Sequence, residues 1–174
     1  ARITGQLRTF ARQSDNRPED VAVARAVDNA LTLLAEKVRR VGAEIVLDLA
    51  DGLAVRCDPL RLEQVLVNLI GNALDAIKDR ADPQLSLHAY EAGGMVHLTV
   101  RDNGPGLSET AFARLFEPFF TTKAAGEGLG LGLTLSAGIV GENGGNLSAT
   151  NHPDGGACFT GALPEAHKEM GHVG

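Results

Sequence analysis

Apolar residues near the start of the chain recur at helical spacing. Ile3, Leu7 and Phe10 lie four and three residues apart, which predicts a helix over residues 1 to about 12. The polar letters QSDNRPED follow and break this pattern. A polar run of this kind between two periodic segments predicts a linker.

Longer apolar stripes and their end signals predict three further helices. One begins near Val21 and ends before Gly42, a residue that suits a C-terminal cap. Another has Asp58 as its N-cap and Pro59 in the first helical position. A third is expected from about residue 129 to residue 143. The apolar face of the helix that begins at Pro59 comprises Leu62, Val65, Leu66, Leu69, Ile70, Ala73 and Ile77.

Alternation of apolar and polar residues predicts the strands. It is present over residues 45–49 and, more briefly, over 53–57. The same alternation on both sides of the letters EAGG predicts a hairpin over 84–101. The segments GGNLSATN and GACFTGALP predict two closing strands. Residues 102–128 are rich in turn-forming residues and are predicted to be irregular.

The predicted order is therefore a helix, two strands, a helix, two strands, a long loop, a helix and two strands. Strands in consecutive pairs favour a mixed or antiparallel sheet that is covered by helices on one face. The sequence predicts an α+β fold, a two-layer α/β sandwich. In it, a mixed and mostly antiparallel sheet of about five strands packs on about three helices.

Composition narrows the class of protein. The chain is 44% hydrophobic and 22% charged, as globular proteins are. No apolar run approaches the roughly 20 residues of a membrane-spanning helix, and the first residues resemble no signal peptide. A net charge of -6 argues against a nucleic-acid surface. The start without Met suggests a fragment of a longer protein. Cys57 and Cys158 are predicted to be free thiols.

Polar residues on the helix that begins at Pro59 are the first candidates for chemistry. Asn68, Asn72, Asp75 and Asp79 share one stripe beside its apolar face. Asparagine is a poor helix former, so two of them four residues apart are unusual. The stripe is either a solvated face or a row of oxygen ligands suited to Mg²⁺. When this helix is considered by itself, the solvated face is the favoured interpretation.

The letters DNGPGL, residues 102–107, follow a strand that is predicted to be buried. Asn-Gly and Pro-Gly are strong turn signals, so a simple turn is one interpretation. A buried carboxylate at Asp102 would however be costly without a hydrogen-bond donor. A ligand with an exocyclic amino group would supply the donor, and Gly104 and Gly106 would let it lie against the backbone.

Two further segments are weak signals when taken singly. The letters LFEPFFTTK (115–123) predict a hydrophobic cluster that fixes a long loop, with Lys123 either a surface lysine or a phosphate ligand. The letters GEGLGLGL (126–133) fit neither a Walker A loop nor a dinucleotide-binding loop. They do open a helix, where backbone N–H groups and the helix dipole favour an anion.

In this order, Asn-x-x-x-Asn, Asp-x-Gly-x-Gly, Phe-Phe-x-x-Lys and Gly-x-Gly-Leu-Gly-Leu resemble the ATP-binding domain of sensor histidine kinases. That family belongs to the gyrase, Hsp90, histidine kinase and MutL superfamily, whose fold is of the Bergerat type. The matching segments are QVLVNLIGNALDAI, RDNGPGL, FEPFFTTK and GEGLGLGLTLSAGIV, followed by the two closing strands. The resemblance covers residues from about 19 to 164. Its motifs are most similar to those of the nitrogen-regulation and C4-dicarboxylate sensor branch.

The resemblance implies ATP and Mg²⁺ as cofactors and assigns roles to residues. Asn72 would coordinate Mg²⁺, Asn68 would lie near the γ-phosphate, and Asp102 would accept the adenine amino hydrogen. Phe116, Phe119 and Phe120 would anchor a lid over the nucleotide. The implied ATP-binding residues are Asn68, Asn72, Asp75, Asp102, Gly104, Gly106, Leu107, Phe120, Thr121, Thr122, Lys123, Gly128, Leu129, Gly130, Leu131 and Gly132.

The residue at position 68 distinguishes the subclasses of the superfamily. The resemblance implies that ATP-hydrolysing members carry a glutamate there, which activates water as a general base. This chain has Asn68. Water attack is thereby disfavoured, and phosphoryl transfer to a histidine is the expected reaction. An ATPase, a protein-serine kinase or a nucleotide-binding module that is inactive alone are the alternatives.

Two positions depart from the family pattern. Many histidine kinases carry a basic residue where this chain has Asp75, so the role of Asp75 at the phosphates is open. Ala157 stands where some members have a Ser or Thr that helps to hold adenine. The five histidines lack the context of a phosphoacceptor, and a metal pair of His88 and His97 is a minor alternative to exposed strand residues.

The resemblance also predicts organisation and partners. Residues 1–13 would end a helix of a preceding dimerisation domain, 14–20 would be a linker, 21–164 the ATP-binding domain and 165–174 a polar tail. The phosphoacceptor histidine would lie on the preceding domain, outside this chain. The expected partners are that domain and a response-regulator receiver domain. The whole protein is expected to be a membrane-anchored homodimer with this part in the cytoplasm.

Overall fold

The computed structural model describes residues 17–117 and 132–166. The strands are β1 (Glu19–Ala22), β2 (Glu44–Leu49), β3 (Ala54–Cys57), β4 (Gln84–Ala92), β5 (Met95–Asp102), β6 (Asn146–Asn151) and β7 (Ala157–Pro164). The helices are α1 (Val23–Leu33), α2 (Ala35–Val41), α3 (Pro59–Ile77), α4 (Glu109–Ala113) and α5 (Gly132–Glu142). Among the described residues, no helix is long and apolar enough to cross a membrane.

Five strands form the main sheet, in the order β2-β4-β5-β7-β6. The pair β2 and β4 is parallel and the other pairs are antiparallel. The predicted mixed, mostly antiparallel sheet is therefore confirmed. In the β4–β5 hairpin, Gly93 and Gly94 both have positive φ, as the predicted turn requires.

The core lies between one face of this sheet and the helices. Successive side chains of a strand point to opposite faces. Leu85, Leu87 and Ala89 of β4 are accordingly buried, whereas His88 and Tyr90 are exposed. Helix α3 is central to the helical layer, since it packs against α1, α5 and β5. Its apolar stripe is therefore covered on several sides, and the polar stripe is left at the edge of the layer.

The end signals of two predicted helices are confirmed. The Asp58 carboxylate accepts a hydrogen bond from the backbone N–H of Leu60 at 3.0 Å, and Pro59 opens α3. Gly42 caps α2 in the left-handed conformation. The helix predicted over 21–41 is however two helices, because the backbone at Leu34 departs from helical geometry. The predicted N-terminal helix lies outside the described residues.

A second, two-stranded sheet was not predicted. Strand β1 pairs antiparallel with β3 and begins at Glu19, inside the segment predicted to be a linker. Strand β1 was missed because its first two residues, Glu19 and Asp20, are charged. Val21 nevertheless packs against the core, and the Val23 N–H donates to the Leu53 carbonyl oxygen at 2.9 Å. On the other side of β3, Glu165 forms a bridge with Val55. The predicted C-terminal tail thus begins with residues that pair.

The segment predicted to be irregular contains a short helix. Helix α4 begins after Ser108, whose hydroxyl oxygen accepts from the Ala111 N–H at 3.1 Å. Helix α5 begins at Gly132 and ends at Glu142, close to the predicted end. Residues 129–131, where the helix was predicted to start, lie outside the described residues.

Candidate functional site

The polar stripe of α3 meets the first turn of α5. Asn68 is half-buried, and its side-chain NH₂ donates to the Ser136 hydroxyl at 3.2 Å and to the Gly132 carbonyl oxygen at 3.3 Å. Ser136 is fully buried. The structure thus brings together two residues of the predicted ATP-binding set, Asn68 and Gly132, which are 64 residues apart. Asn68 fixes the start of α5 against α3.

The next turns of the stripe carry Asn72 and Asp75. Both are half-buried, and they are three residues apart, so their side chains are neighbours on the helix surface. An oxygen of Asp75 forms an ion pair with the Lys37 ammonium at 2.6 Å. This partner was not predicted, because Lys37 lies on a different helix, 38 residues earlier in the chain. The side-chain amide of Asn72 has a carbonyl oxygen, which is a group that can coordinate Mg²⁺.

A buried carboxylate marks the other end of the site. Asp102 at the end of β5 is only 4% exposed. Its Oδ1 accepts from the backbone N–H of Gly104 at 2.8 Å and from that of Ala157 at 3.3 Å. Burial raises the pKa of this carboxyl, although the two N–H groups act in the opposite direction. Both of these bonds end on Oδ1, so they do not use the acceptor capacity of Oδ2.

Two glycines shape the loop that follows Asp102. A Cβ on Gly104 would lie 2.7 Å from the carbonyl oxygen of Ala76 in α3. Gly106 has a φ of 83°, and a Cβ there would lie 2.9 Å from the Asn151 Oδ1. Gly104 therefore lets the loop backbone approach that of α3, and Gly106 supplies a positive φ beside the Asn151 side chain. The atoms close to these glycines are protein atoms, and the approach of a ligand to their backbone stays a prediction.

Two asparagines hold the same loop in place, and the sequence analysis missed both. The Asn151 side chain accepts from the Leu107 N–H at 2.7 Å and donates to the Leu107 carbonyl oxygen at 2.8 Å. Asn103 accepts from the Gln84 N–H and donates to the Asp82 carbonyl oxygen, each at 2.9 Å. The loop is therefore tied to the sheet at both ends.

The first residues of the predicted lid segment are described, and they contact α5. The Thr134 hydroxyl in α5 donates to the Phe116 carbonyl oxygen at 2.8 Å. Most of the predicted lid and glycine-rich loop lies outside the described residues. These are Phe119, Phe120, Thr121, Thr122, Lys123, Gly128, Leu129, Gly130 and Leu131.

His88 and His97, the minor candidate for a metal pair, do not lie opposite each other in the β4–β5 hairpin. In the observed register Tyr90, not His88, lies opposite His97, and the two rings stack with their centroids 5.0 Å apart. Among the described residues, no group of three or more His, Cys, Asp or Glu side chains could hold a metal ion. The two cysteines are free thiols, as predicted, and burial raises the pKa of Cys57 to about 11.

Comparison with known proteins places this geometry in a family. The sequence model of one protein family, the histidine kinase-, DNA gyrase B- and HSP90-like ATPases, matches residues 57–167, which is more than half of the chain. The chain is 42% identical over 159 residues to the C4-dicarboxylate transport sensor protein DctB of Pseudomonas aeruginosa. That match covers 90% of this chain but 26% of the relative, so the chain spans about a quarter of its length.

Solved structures agree with the sequence relatives. The catalytic domain of histidine kinase ThkA, in a nucleotide-free form, has a TM-score of 0.75 and 27% identity, covering 85% of this chain and 95% of that domain. Full-length ShkA in complex with AMPPNP has a TM-score of 0.75 and 28% identity, covering 90% of this chain and 34% of ShkA. The predicted resemblance is confirmed: the chain belongs to the histidine kinase-, DNA gyrase B- and HSP90-like ATPase family, and within it to the catalytic domains of sensor histidine kinases.

Proposed function

We propose that this domain binds MgATP and transfers the γ-phosphoryl group to a histidine on a domain outside this chain. The observation that carries the proposal is that the candidate site has two chemically different ends. A buried carboxylate, Asp102, lies at one end, and the Asn68–Asn72 stripe faces the start of α5 at the other. An adenine nucleotide has a donor at its base and charge at its phosphates, and it matches both.

Asp102 is proposed to recognise the base. An ionised carboxylate has acceptors and no donor, and the exocyclic amino group of adenine is a donor. The loop tied by Asn103 and Asn151 would place Leu107 and the glycine backbone around the base. A guanine base presents an oxygen at the equivalent position and would meet a second acceptor. The site is therefore expected to prefer ATP to GTP.

The polar stripe is proposed to face the phosphates. Asn72 would offer its amide oxygen to Mg²⁺, which when bound neutralises charge on the phosphates. Asn68 would keep the first turn of α5 in position, where backbone N–H groups favour an anion. The roles of Lys123 and of residues 128–131 at the phosphates remain predictions from the resemblance.

The reaction proposed is phosphoryl transfer rather than hydrolysis. The unprotonated imidazole nitrogen of the acceptor would form the new bond to the γ-phosphorus while the bond from that phosphorus to the bridging β-phosphate oxygen breaks and ADP leaves. The other ring nitrogen would then give up its proton to solvent, which returns the ring to neutrality. The amide of Asn68 is not a base, so it would not activate a competing water. The domain would act mainly by positioning the nucleotide and by excluding water.

The test uses this chain together with an upstream domain that carries the acceptor histidine, supplied in trans with γ-labelled ATP. We expect acid-labile label on the histidine and little phosphate release when the acceptor is omitted. Rapid phosphate release without the acceptor would favour an ATPase. ATP binding without any label on histidine or serine would favour an inactive nucleotide-binding module, and label on serine would favour a protein-serine kinase.

The same proposal implies the partners of the whole protein. The domain would work with its own dimerisation and phosphoacceptor domain and pass the phosphoryl group to a response-regulator receiver domain. It would form the cytoplasmic part of a membrane-anchored homodimer. Crosslinking of the full-length protein, and label transfer to a purified receiver domain, would test these two assignments separately.

A further inference from the structure

The ion pair between Lys37 and Asp75 joins helix α2 to the polar stripe of α3. Helix α2 carries the letters AEKVRRV, and its other charged residues Glu36, Arg39 and Arg40 are exposed. Lys37 differs from them, since its side chain is 30% exposed and its ammonium lies 2.6 Å from Asp75 Oδ1. The lysine is therefore directed onto α3 rather than into solvent.

The position of Asp75 places this ammonium at the edge of the proposed phosphate site. Asp75 lies three residues after Asn72, and helix neighbours at this spacing have Cβ atoms about 5–6 Å apart. Asn68, one turn before Asn72, contacts the start of α5. A polyphosphate between the stripe and α5 would therefore come within reach of a lysine held beside Asp75.

The charges at this edge explain why such a lysine would be useful. A carboxylate one turn from a magnesium ligand repels phosphate oxygens at close range, whereas an ammonium attracts them. The pair is partly solvated, with 30% and 23% of the two side chains exposed. Ion pairs of this kind contribute little to stability, so stability of the fold gives only a weak reason for it.

We propose that Lys37 binds the polyphosphate of the nucleotide and that Asp75 holds its ammonium in position. The proposal rests on the proposed function, because it assumes that the phosphates lie along the α3 stripe. Lys37 is thus a phosphate-binding residue and Asp75 a positioning residue. A lysine contacts phosphate as a compact charge with three donors, so removal of its charge affects polyphosphate binding more than base binding.

The test is calorimetric titration of the Lys37→Met chain with MgATP and with adenosine. We expect the dissociation constant for MgATP to rise about tenfold, since a charge-assisted hydrogen bond is lost, and that for adenosine to stay within twofold. Lys37→Arg keeps the charge and should recover most of the affinity. Arg39→Met is the matched control, because Arg39 is an exposed cation on the same helix and pairs with Glu36 rather than with α3. It should bind MgATP as the parent does.

Three results would overturn the proposal: an MgATP affinity of Lys37→Met within twofold of the parent, an equal loss in Arg39→Met, or an equal loss for adenosine. A purely structural ion pair would lower the melting temperature of Lys37→Met without changing the nucleotide affinities. Failure of the proposed function looks different, since the parent chain itself would then bind no MgATP, and the assignment of Lys37 would fall with it.

Discussion

The two ends of the site are built in different ways. At the Asp102 end, a buried carboxylate is held by backbone N–H groups, and Gly104 lets the loop backbone lie directly against the backbone of α3. At the α3 stripe, half-buried amides and an ion pair project from helices. The first end is therefore defined mainly by backbone shape, and the second by the chemical groups that the side chains carry. Added volume should damage the first, and lost functional groups the second.

The largest effect is expected at the stripe, where Asn72→Ala removes the proposed magnesium ligand. We expect Mg²⁺-dependent ATP binding to be lost, with at least a hundredfold rise in the dissociation constant, or about 3 kcal/mol. Calorimetric titration with and without Mg²⁺ measures it. Asn29→Ala, which removes a hydrogen bond to Glu63 elsewhere on α3, is the control and should bind normally. A dissociation constant within twofold of the parent would contradict the assignment of Asn72.

Gly104→Ala tests the backbone-shaped end by adding one methyl group. The new Cβ would lie 2.7 Å from the Ala76 carbonyl oxygen, so the loop or α3 must move. Overpacking of this kind costs about 1–3 kcal/mol, and we expect unfolding by urea at a lower concentration together with weaker ATP binding. Gly141→Ala, at a helical glycine with nothing within 4 Å, should be neutral or slightly stabilising. Equal behaviour of the two variants would refute the argument from close approach.

Asp102→Asn changes chemistry at the end that shape defines. The amide oxygen can still accept from the Gly104 and Ala157 N–H groups, but the NH₂ group then faces the donor of adenine. We expect the dissociation constant for MgATP to rise about thirtyfold, or about 2 kcal/mol, with the fold retained. Titration with ATP and GTP measures it, and an unchanged preference for ATP would argue against base recognition by Asp102.

The same variant tests the burial of Asp102 through the pH dependence of the free energy of unfolding. Because burial raises the pKa of Asp102, the folded chain holds this proton to a higher pH than the unfolded chain does. The parent therefore loses stability as the pH rises from the ordinary pKa of an aspartate, about 4, through the raised value. Asn at this position cannot lose that stability. Melting temperatures should favour the variant more at pH 7 than at pH 4, and the opposite trend would contradict the desolvation argument.

The smallest effect is expected for Asn151→Ala, which removes two hydrogen bonds to the Leu107 backbone. The loop should then be less well fixed, with about a fivefold rise in the dissociation constant for ATP, or about 1 kcal/mol, and a weaker preference over GTP. Asn146→Ala, at an exposed position on the same strand, is the control. Unchanged affinity and preference in Asn151→Ala would show that Leu107 needs no such support.

Local signals made much of the fold predictable. The Asp58–Pro59 start of α3, the left-handed Gly42 and the alternation across β4 and β5 each depend on neighbouring residues, so the sequence displays them directly. Strand β1 was missed because its charged letters resemble a linker, and its pairing with β3 depends on residues more than thirty positions away. The single helix predicted before Gly42 was wrong because apolar spacing continues through the break at Leu34.

The site residues show the same difference between local signals and contacts of residues that are distant in sequence. Asn68, Asn72 and Asp102 were candidates because residue type and motif order mark them. Asn151 and Lys37 were missed, because each acts on a partner 44 or 38 positions away and only the folded chain brings them together. An asparagine at the end of a strand, or one lysine in a charged helix, carries no local signal of such a role. The ligand contacts of residues 118–131 stay predictions.

Strand β3 also determines how the domain joins the rest of a protein. It pairs with β1 on one side and forms the bridge to Glu165 on the other, so the chain enters and leaves the domain along the two edges of the same four-residue strand. Neighbouring strands lie about 4.8 Å apart, which places entry and exit roughly 10 Å from each other. A linker of a few residues could span that gap. The described ends of the domain are thus close together, a geometry that commonly tolerates circular permutation and insertion into a host chain.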